Sequence, residues 1–340
     1  MTEEDRTARR RIPRQIRILL SGGIVIFVLE YLVVPQFSLA RNHLRLLRHV
    51  NPLLIILAVV LEIAAIYAYG ELTRTVFTPF SPRRRDVMRV NLSGLAISHV
   101  IPGGTAPAGA LSYRLYSSME VPASTNAFGL AAQGSGSAVV LNLIFWLALV
   151  ISIPLRGINP VYGFASLVGV FLMLAFFGTV LLLTRGQAAA DNWLRIVAKK
   201  LPWITAEQVT RLLTNVAERI NIMTSQPKIL RHALYWASAN WILDASCLWV
   251  FLLAFGHPIS PIDLMVAYGL ANILAVIPLT PAGLGVIEGV LIPTLVGFGV
   301  PHNPAILAIL GYRLVNFWLP IPIGGLAYFS LSWWRPASVL

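Results

Sequence analysis

The chain is poor in charge. Asp, Glu, Lys and Arg make up 12% of its 340 residues, against roughly 25% in a soluble globular domain, so it lacks the groups needed to cover a surface in water. It has a single cysteine, Cys247, which excludes an internal disulfide and any cysteine-based metal site. Its six histidines fall into no metal-ligand spacing, Gly103-Gly104 is too short for a phosphate-cradling loop, and no polar segment is long enough for a separate catalytic domain. The sequence therefore offers no catalytic set, metal site or cofactor site. The first apolar run, Ile18 to Val34, also lacks the small-residue cleavage site of a signal peptide and reads as a retained span.

In place of charge the chain has 57% hydrophobic residues and a mean hydropathy of +0.74. These values predict an all-α polytopic membrane protein, because a helix satisfies its own backbone in lipid. A formal charge of +12 would suit nucleic acid. The basic residues, however, sit in segments flanking apolar runs, where positive-inside topology and attraction to anionic lipid account for them. No nucleic-acid partner is expected.

Residues 1–15 read as a basic cytoplasmic tail and 16–335 as a single transmembrane domain. About six full spans are expected, near 16–34, 52–69, 122–153, 161–184, 229–255 and 305–334, with broken helical hairpins at 90–119 and 262–300. The stretch Gln133-Gly134-Ser135-Gly136-Ser137 interrupts the third span and reads as a site of close helix packing. Within the polar region 185–231, Thr205 and Gln208 make a capping box, and Val209, Leu212, Leu213, Val216, Ile220 and Met223 share one face. The segment 185–228 is thus an amphipathic piece on the inner membrane surface, or one packed on the bundle. With a cytoplasmic N-terminus, 20 of the 26 Lys and Arg fall inside and 4 outside. Both termini are therefore expected in the cytoplasm, in a multi-pass protein of the cell or inner membrane.

An internal repeat organises the apolar regions. Gly94-Leu95-Ala96, Ile101-Pro102, Pro107-Ala108-Gly109 and Val121-Pro122 are answered in order by Gly269-Leu270-Ala271, Ile277-Pro278, Pro281-Ala282-Gly283 and Val300-Pro301. Proline removes a backbone donor and glycine opens the left-handed region, so each copy predicts two short helices meeting at a turn, with repeat motifs at 90–122 and 262–313. The Lys and Arg distribution places the first hairpin with both ends inside and the second with both ends outside. The repeats are then inverted, whether the arms re-enter or cross. Paired broken segments of this kind mark binding sites in transporters.

Six charged residues lie inside apolar segments: Glu30, Glu62, Arg114, Asp244, Glu288 and Arg313. Each would cost about 2.5–3.5 kcal/mol at the centre of a span on insertion scales, so they should face the interior and pair. Arg114 and Arg313 both follow a Pro-Ala-Gly turn, where a guanidinium beside helix N-termini suits a phosphate. With Glu288 and the turn glycines Gly103, Gly104, Gly283 and Gly285 they make the candidate headgroup site. The other reading of Arg313 is an ion pair with Glu288 that holds the hairpin to the last span. Asp244, four residues after Asn240, is a candidate proton-relay or counter-charge residue, as is Glu288. Glu30 and Glu62 read as snorkelling or packing residues near span ends, and His99 as a satisfied turn histidine.

Ile101-Pro102-Gly103-Gly104-Thr105 with Arg114, then Pro281-Ala282-Gly283-Leu284-Gly285-Val286-Ile287-Glu288, then Tyr312-Arg313, together resemble the lysylphosphatidylglycerol synthase/flippase transmembrane family over roughly residues 20–332. The chain departs from the family pattern at Ala110, where many relatives carry an acid, and at Pro278-Leu279-Thr280-Pro281. The resemblance implies a stand-alone flippase-like domain, without the aminoacyltransferase domain of bifunctional members, that moves a charged or phosphate-bearing lipid between leaflets. Its partners would be membrane lipids, anionic or phosphate-bearing, with a homodimer left open. Two alternatives are a membrane-embedded enzyme acting on a lipid-linked sugar or phosphate, and a non-transporting scaffold subunit. The enzyme would need acidic metal ligands in a cytoplasmic loop, where Asp86, Asp191 and Glu207 are scattered.

Overall fold

The computed structural model describes residues 51–101, 103–156, 170–171, 174, 226–275 and 280–333. The expected tail, the span at 16–34 and nearly all of 161–184 and 185–228 lie outside the described residues, as do Pro102 and Pro278. Among the described residues the chain is helical throughout, and all of them from Asn51 onward belong to one compact unit, Val50–Leu340.

Proline and polar caps set where the helices begin. The first, α1 (Pro52–Val76), starts with Pro52, whose missing N–H is no loss in the first turn, while the Asn51 side chain accepts from Leu53 N. α2 (Arg84–Val100) and α3 (Thr105–Ser117) flank the first break, and α4 (Ala123–Arg156) follows. α5 (Pro227–Ala254) again opens on proline, and α6 (Pro261–Leu274) is capped by Ser260, which accepts from Asp263 N and donates to Asp263 Oδ2. A 3-10 turn, Pro281–Gly283, precedes α7 (Val286–Gly297); α8 (His302–Arg313) runs through a π turn, Leu314–Trp318, into α9 (Pro320–Trp333). The π turn has a direct cause. Pro320 has no N–H to give the carbonyl of Asn316, so the ladder shifts and Leu319 N donates instead to Leu314 O at 2.9 Å.

Four of these helices are long and apolar enough to cross a membrane: Pro52–Val76, Ala123–Ser152, Pro227–Ala254 and His302–Leu331. The arms of the two hairpins are shorter. At 17, 13, 14 and 12 residues and about 1.5 Å per residue, none reaches the roughly 30 Å of a hydrocarbon core. Two expectations are corrected here. The Gln133–Ser137 stretch does not interrupt its span, since α4 is continuous through it. The helix expected to end at Tyr69 continues to Val76, because Glu71, Thr73 and Arg74, which look like loop residues, find partners: Glu71 binds Arg74 at 2.8 Å and Arg84 at 2.6 Å.

The packing exchanges the two halves of the chain. α1 lies along α5; α2 lies along α9, at the end of the second half, while α6 lies along α4, at the end of the first. The core at the α1/α5 contact uses Ala58, Ala245 and Leu248, all fully buried, and continues through Tyr268, Leu291 and Tyr312. Small residues there let the backbones approach, which substitutes for a hydrophobic driving force that lipid does not supply.

The α2/α9 seam is closed by Gly324. A Cβ built there would stand 2.1 Å from Leu92 O and 2.7 Å from Ala96 Cβ, whereas one on the neighbouring Gly325 meets nothing within 4 Å. Gly324→Ala should therefore lower the detergent melting temperature clearly, at the overpacking cost of about 1–3 kcal/mol, and Gly325→Ala should leave it unchanged. Equal melting curves for the two variants would contradict this packing.

Candidate functional site

A cavity of about 450 Å³ opens between the first hairpin and the α1/α5 pair. The unbroken helix α4 supplies Gln133, Gly134 and Ser137 to its wall, α1 supplies Glu62 and Tyr69, α5 supplies Asn240, Trp241 and Asp244, and the π turn supplies Asn316. The hairpin contributes Asn91 and Ser98 from α2, and Thr105 and Ser112 from α3. In a bundle whose outer faces carry Leu53, Leu147, Leu326 and Phe329, this wall is rich in amides, hydroxyls and carboxyls. Among the described residues no Lys or Arg is part of it.

Two hydrogen-bonded groups hold the wall. At one, Thr73 Oγ1 accepts from Asn91 Nδ2 at 2.9 Å and from Gln133 Nε2 at 2.6 Å, and the Tyr116 hydroxyl donates to Asn91 Oδ1 at 3.1 Å. α1, α2, α3 and α4 are thereby joined through four buried side chains. At the other, Asn316 Nδ2 donates to Asp244 Oδ1 at 3.0 Å and to Glu62 Oε1 at 3.2 Å. Asp244 Oδ2 accepts the hydroxyls of Tyr268 and, at 3.2 Å, of Tyr312. Asn240, one turn before Asp244, donates to Ala65 O at 3.0 Å and locks α5 to α1. Trp241 Nε1 donates to Ser137 O at 2.8 Å.

The sequence-predicted residues divide between this cavity and the second hairpin. Asp244 lies in the cavity wall, with Asn240 on the same face as their spacing requires. Glu62 belongs there too: it is 5% exposed, mid-helix, and bridged to Asp244 through Asn316. Its reading as a residue near a span end is corrected, and the missed signal is its place near the middle of the apolar run that opens at Pro52. Asn91 and Asn316 have no part in the sequence reading and Gln133 enters it only within a helix-packing stretch, although an amide inside an apolar helix is a cue to function.

Arg313 and Glu288 meet outside the cavity. Arg313, 2% exposed, donates through Nε to Glu288 Oε1 at 2.7 Å and stacks over Phe317 with its guanidinium carbon 4.5 Å from the ring centre. Glu288 Oε2 accepts from Gly285 N at 2.6 Å, so one carboxylate both caps α7 and anchors α8. The ion-pair reading of Arg313 is the one present. Gly283 and Gly285 have φ of 69° and 82° and serve this turn, where a Cβ on Gly283 would meet Ala275 at 2.7 Å. Gly103, with φ of 65°, and Gly104 make the first turn, and neither lines the cavity. Arg114 stands exposed in the last turn of α3, off the cavity wall. The two arginines differ in environment, and in the repeat the position that answers Arg114 is Glu288, five residues after the Pro-Ala-Gly turn in each copy. His99 is satisfied as expected: its Nδ1 lies 2.9 Å from Phe317 O and its ring stacks on Phe317.

Comparison with known proteins agrees with the architecture. Residues 15–324 match the family described as the lysylphosphatidylglycerol synthase TM region, and the chain belongs to that family of membrane proteins. It is 25% identical over 332 residues, covering 93% of this chain and 96% of the relative, to a protein named "UPF0104 membrane protein" in Methanothermobacter thermautotrophicus. It is also 25% identical over 292 residues, 85% of this chain and 83% of the relative, to "Inner membrane protein YbhN" of Escherichia coli.

The Arg313–Glu288 pair makes a quantitative expectation. Removing one partner of a buried pair leaves an uncompensated charge, at about 3–5 kcal/mol, so Arg313→Met should destabilise strongly in mixed-micelle unfolding. In a cycle with Glu288→Gln the double variant should recover about 1–3 kcal/mol of the summed losses. A coupling near zero would mean that the pair contributes no mutual stabilisation.

Proposed function

We propose that this member of the lysylphosphatidylglycerol synthase transmembrane family is a lipid flippase, which takes a lipid headgroup into the cavity between the first hairpin and the α1/α5 pair and leaves the acyl or prenyl chains in the bilayer. The observation that carries the reading is the cavity itself: about 450 Å³ of space in which amides, hydroxyls and two carboxyls are set among apolar residues such as Ile66, Leu95 and Leu130. Open space with polar groups facing it is not what close packing of an apolar bundle would leave. It suits a hydrogen-bonding headgroup that must be stripped of water to cross.

The absence of Lys and Arg from the cavity wall changes the expected recognition. A phosphate is not matched inside the cavity, and Arg313 is already engaged by Glu288. In the proposal, the polar or cationic part of the head enters the cavity, while a lipid phosphate stays at the exposed face of α3 near Arg114. The proton-coupling role falls to Asp244 rather than to Glu288, whose two oxygens hold Arg313 and Gly285. No set of three acidic, histidine or cysteine side chains that could hold a metal occurs among the described residues, and Asp191 and Glu207, which the enzyme alternative would draw on, lie outside them.

Alternating access would come from the two hairpins as inverted repeats. Three features support this: matching breaks in each half, arms too short to span alone, and the exchanged packing of α2 on α9 and α6 on α4. On a Cys247→Ser background, Arg85→Cys at the start of the first hairpin and Pro258→Cys before the second should react with an impermeant maleimide from opposite sides of the membrane. Labelling from one side would end the inverted-repeat proposal.

For function, the purified protein in liposomes should accelerate transbilayer movement of a polar-headed phospholipid and leave lipid masses unchanged. Ala108→Trp, which places an indole in the cavity, should slow movement by at least about tenfold, an added barrier of about 1.4 kcal/mol, with gel-filtration behaviour retained. A new lipid product by mass spectrometry, or unimpaired movement with the cavity filled, would refute the flippase reading.

A further inference from the structure

Hydrogen bonding around the two cavity carboxyls is lopsided. Asp244 accepts from three donors, the hydroxyls of Tyr268 and Tyr312 and one N–H of Asn316. Glu62 accepts only the other N–H of Asn316, and its Oε2 has no partner although the residue is 5% exposed and part of the cavity wall. Both carboxyls accept from one nitrogen, Asn316 Nδ2, at 3.2 and 3.0 Å, which brings the two groups close together. Carboxylate oxygens only accept, so that approach is repulsive unless something positive lies between them. A second buried wall atom, Ser137 Oγ, also 5% exposed, is likewise without a partner.

The surrounding charges do not supply what is missing. The elements packed here present Tyr268 from α6, Tyr312 from α8, Cys247 from α5 and the amide of Asn316 from the π turn. None of these carries positive charge. Arg313 is, among the described residues, the cation whose field reaches Asp244; its Nε is bound to Glu288, and its buried Nη2 makes no hydrogen bond to either cavity carboxyl. Among the described residues no ion pair involves Glu62 or Asp244. The three neutral donors at Asp244 solvate its carboxylate, whereas Glu62 has one such donor and an unpartnered oxygen.

We propose that Glu62 and Asp244 form a binding site for one monovalent cation, a proton or an alkali-metal ion, seated at Glu62 Oε2 on the cavity wall. One carboxylate oxygen, Glu62 Oε2, lacks a donor, which suits one small cation, and the position beside the cavity gives the ion an aqueous route in and out. A third acidic or histidine ligand, which would favour a divalent metal, is absent among the described residues. The site stands on this geometry whether or not a lipid crosses, so its test requires no transport.

The experiment uses the purified full chain in detergent. Infrared spectra at neutral pH reveal a protonated buried carboxyl as a C=O band that shifts in D2O, because exposed acids are ionised there. In parallel, melting curves are recorded in NaCl, KCl and choline chloride at constant ionic strength. A carboxyl band that is lost in Glu62→Gln, with melting indifferent to the salt, assigns the charge to a proton. A saturable rise of about 5 °C in Na+ or K+ over choline at roughly one hundred times Kd, abolished in Glu62→Gln or Asp244→Asn, assigns it to an alkali ion. Should neither variant fold, the wild type decides: either signal supports the site. The proposal is overturned if the wild type shows neither, or if both signals survive unchanged in folded Glu62→Gln and Asp244→Asn.

Discussion

One side-chain amide holds the centre of this protein together. Asn316 Nδ2 has two hydrogens and gives one to Glu62 and one to Asp244, so a single group joins α1, α5 and the turn between α8 and α9. In lipid an unsatisfied carboxyl costs several kcal/mol, and the helices that carry these acids are apolar elsewhere. The arrangement of α1 against α5 is therefore set by where those carboxyls can find donors as well as by the small residues at their contact. Asn240 on the backbone of Ala65 repeats the tie one turn away.

The two hairpins resemble each other in sequence and differ in use. The first lends Asn91, Ser98, Thr105 and Ser112 to the cavity, and its Gly94 closes on Ser112 within the hairpin itself. The second turns its glycine outward, with Gly269 seated against Phe145 of α4, and its tip is fastened by Glu288 to Arg313. Its 3-10 turn also packs against α2 of the first hairpin. One hairpin thus shapes the cavity while the other is bolted to the frame. A repeat that had begun as two equal halves would reach this state by loading one copy with polar wall residues and the other with an internal ion pair.

Much of this was readable before any coordinates. Proline and glycine act on the backbone directly, so the breaks near 101–104 and 281–285 and the proline-led starts of α1, α5 and α6 follow from residue type. Asn240 and Asp244 were found because a four-residue spacing is a property of the helix alone. Glu62 was misjudged for a tertiary reason: Glu71, Thr73 and Arg74 look like loop residues until Arg84 and Asn91 arrive from another helix to bind them. The burial of Arg313 against Glu288 and the exposure of Arg114 are tertiary facts that following a Pro-Ala-Gly turn does not distinguish. Nor does a period of 3.6 reveal a π turn, although Pro320 was its local cause.

The turn at Leu314–Trp318 also changes how the last helix counts. One residue beyond the α-helical period rotates everything after it by about 100° and advances it by about 1.5 Å, so α8 and α9 run on separate phases. Asn316 can then point at the carboxyls while Gly324, eight positions on, still meets Leu92. Two faces of one continuous rod are aligned independently, and the junction behaves like a vernier. Deleting a single residue there would leave composition and hydropathy almost untouched, yet it would turn the glycine seam away from α2 for the rest of the helix.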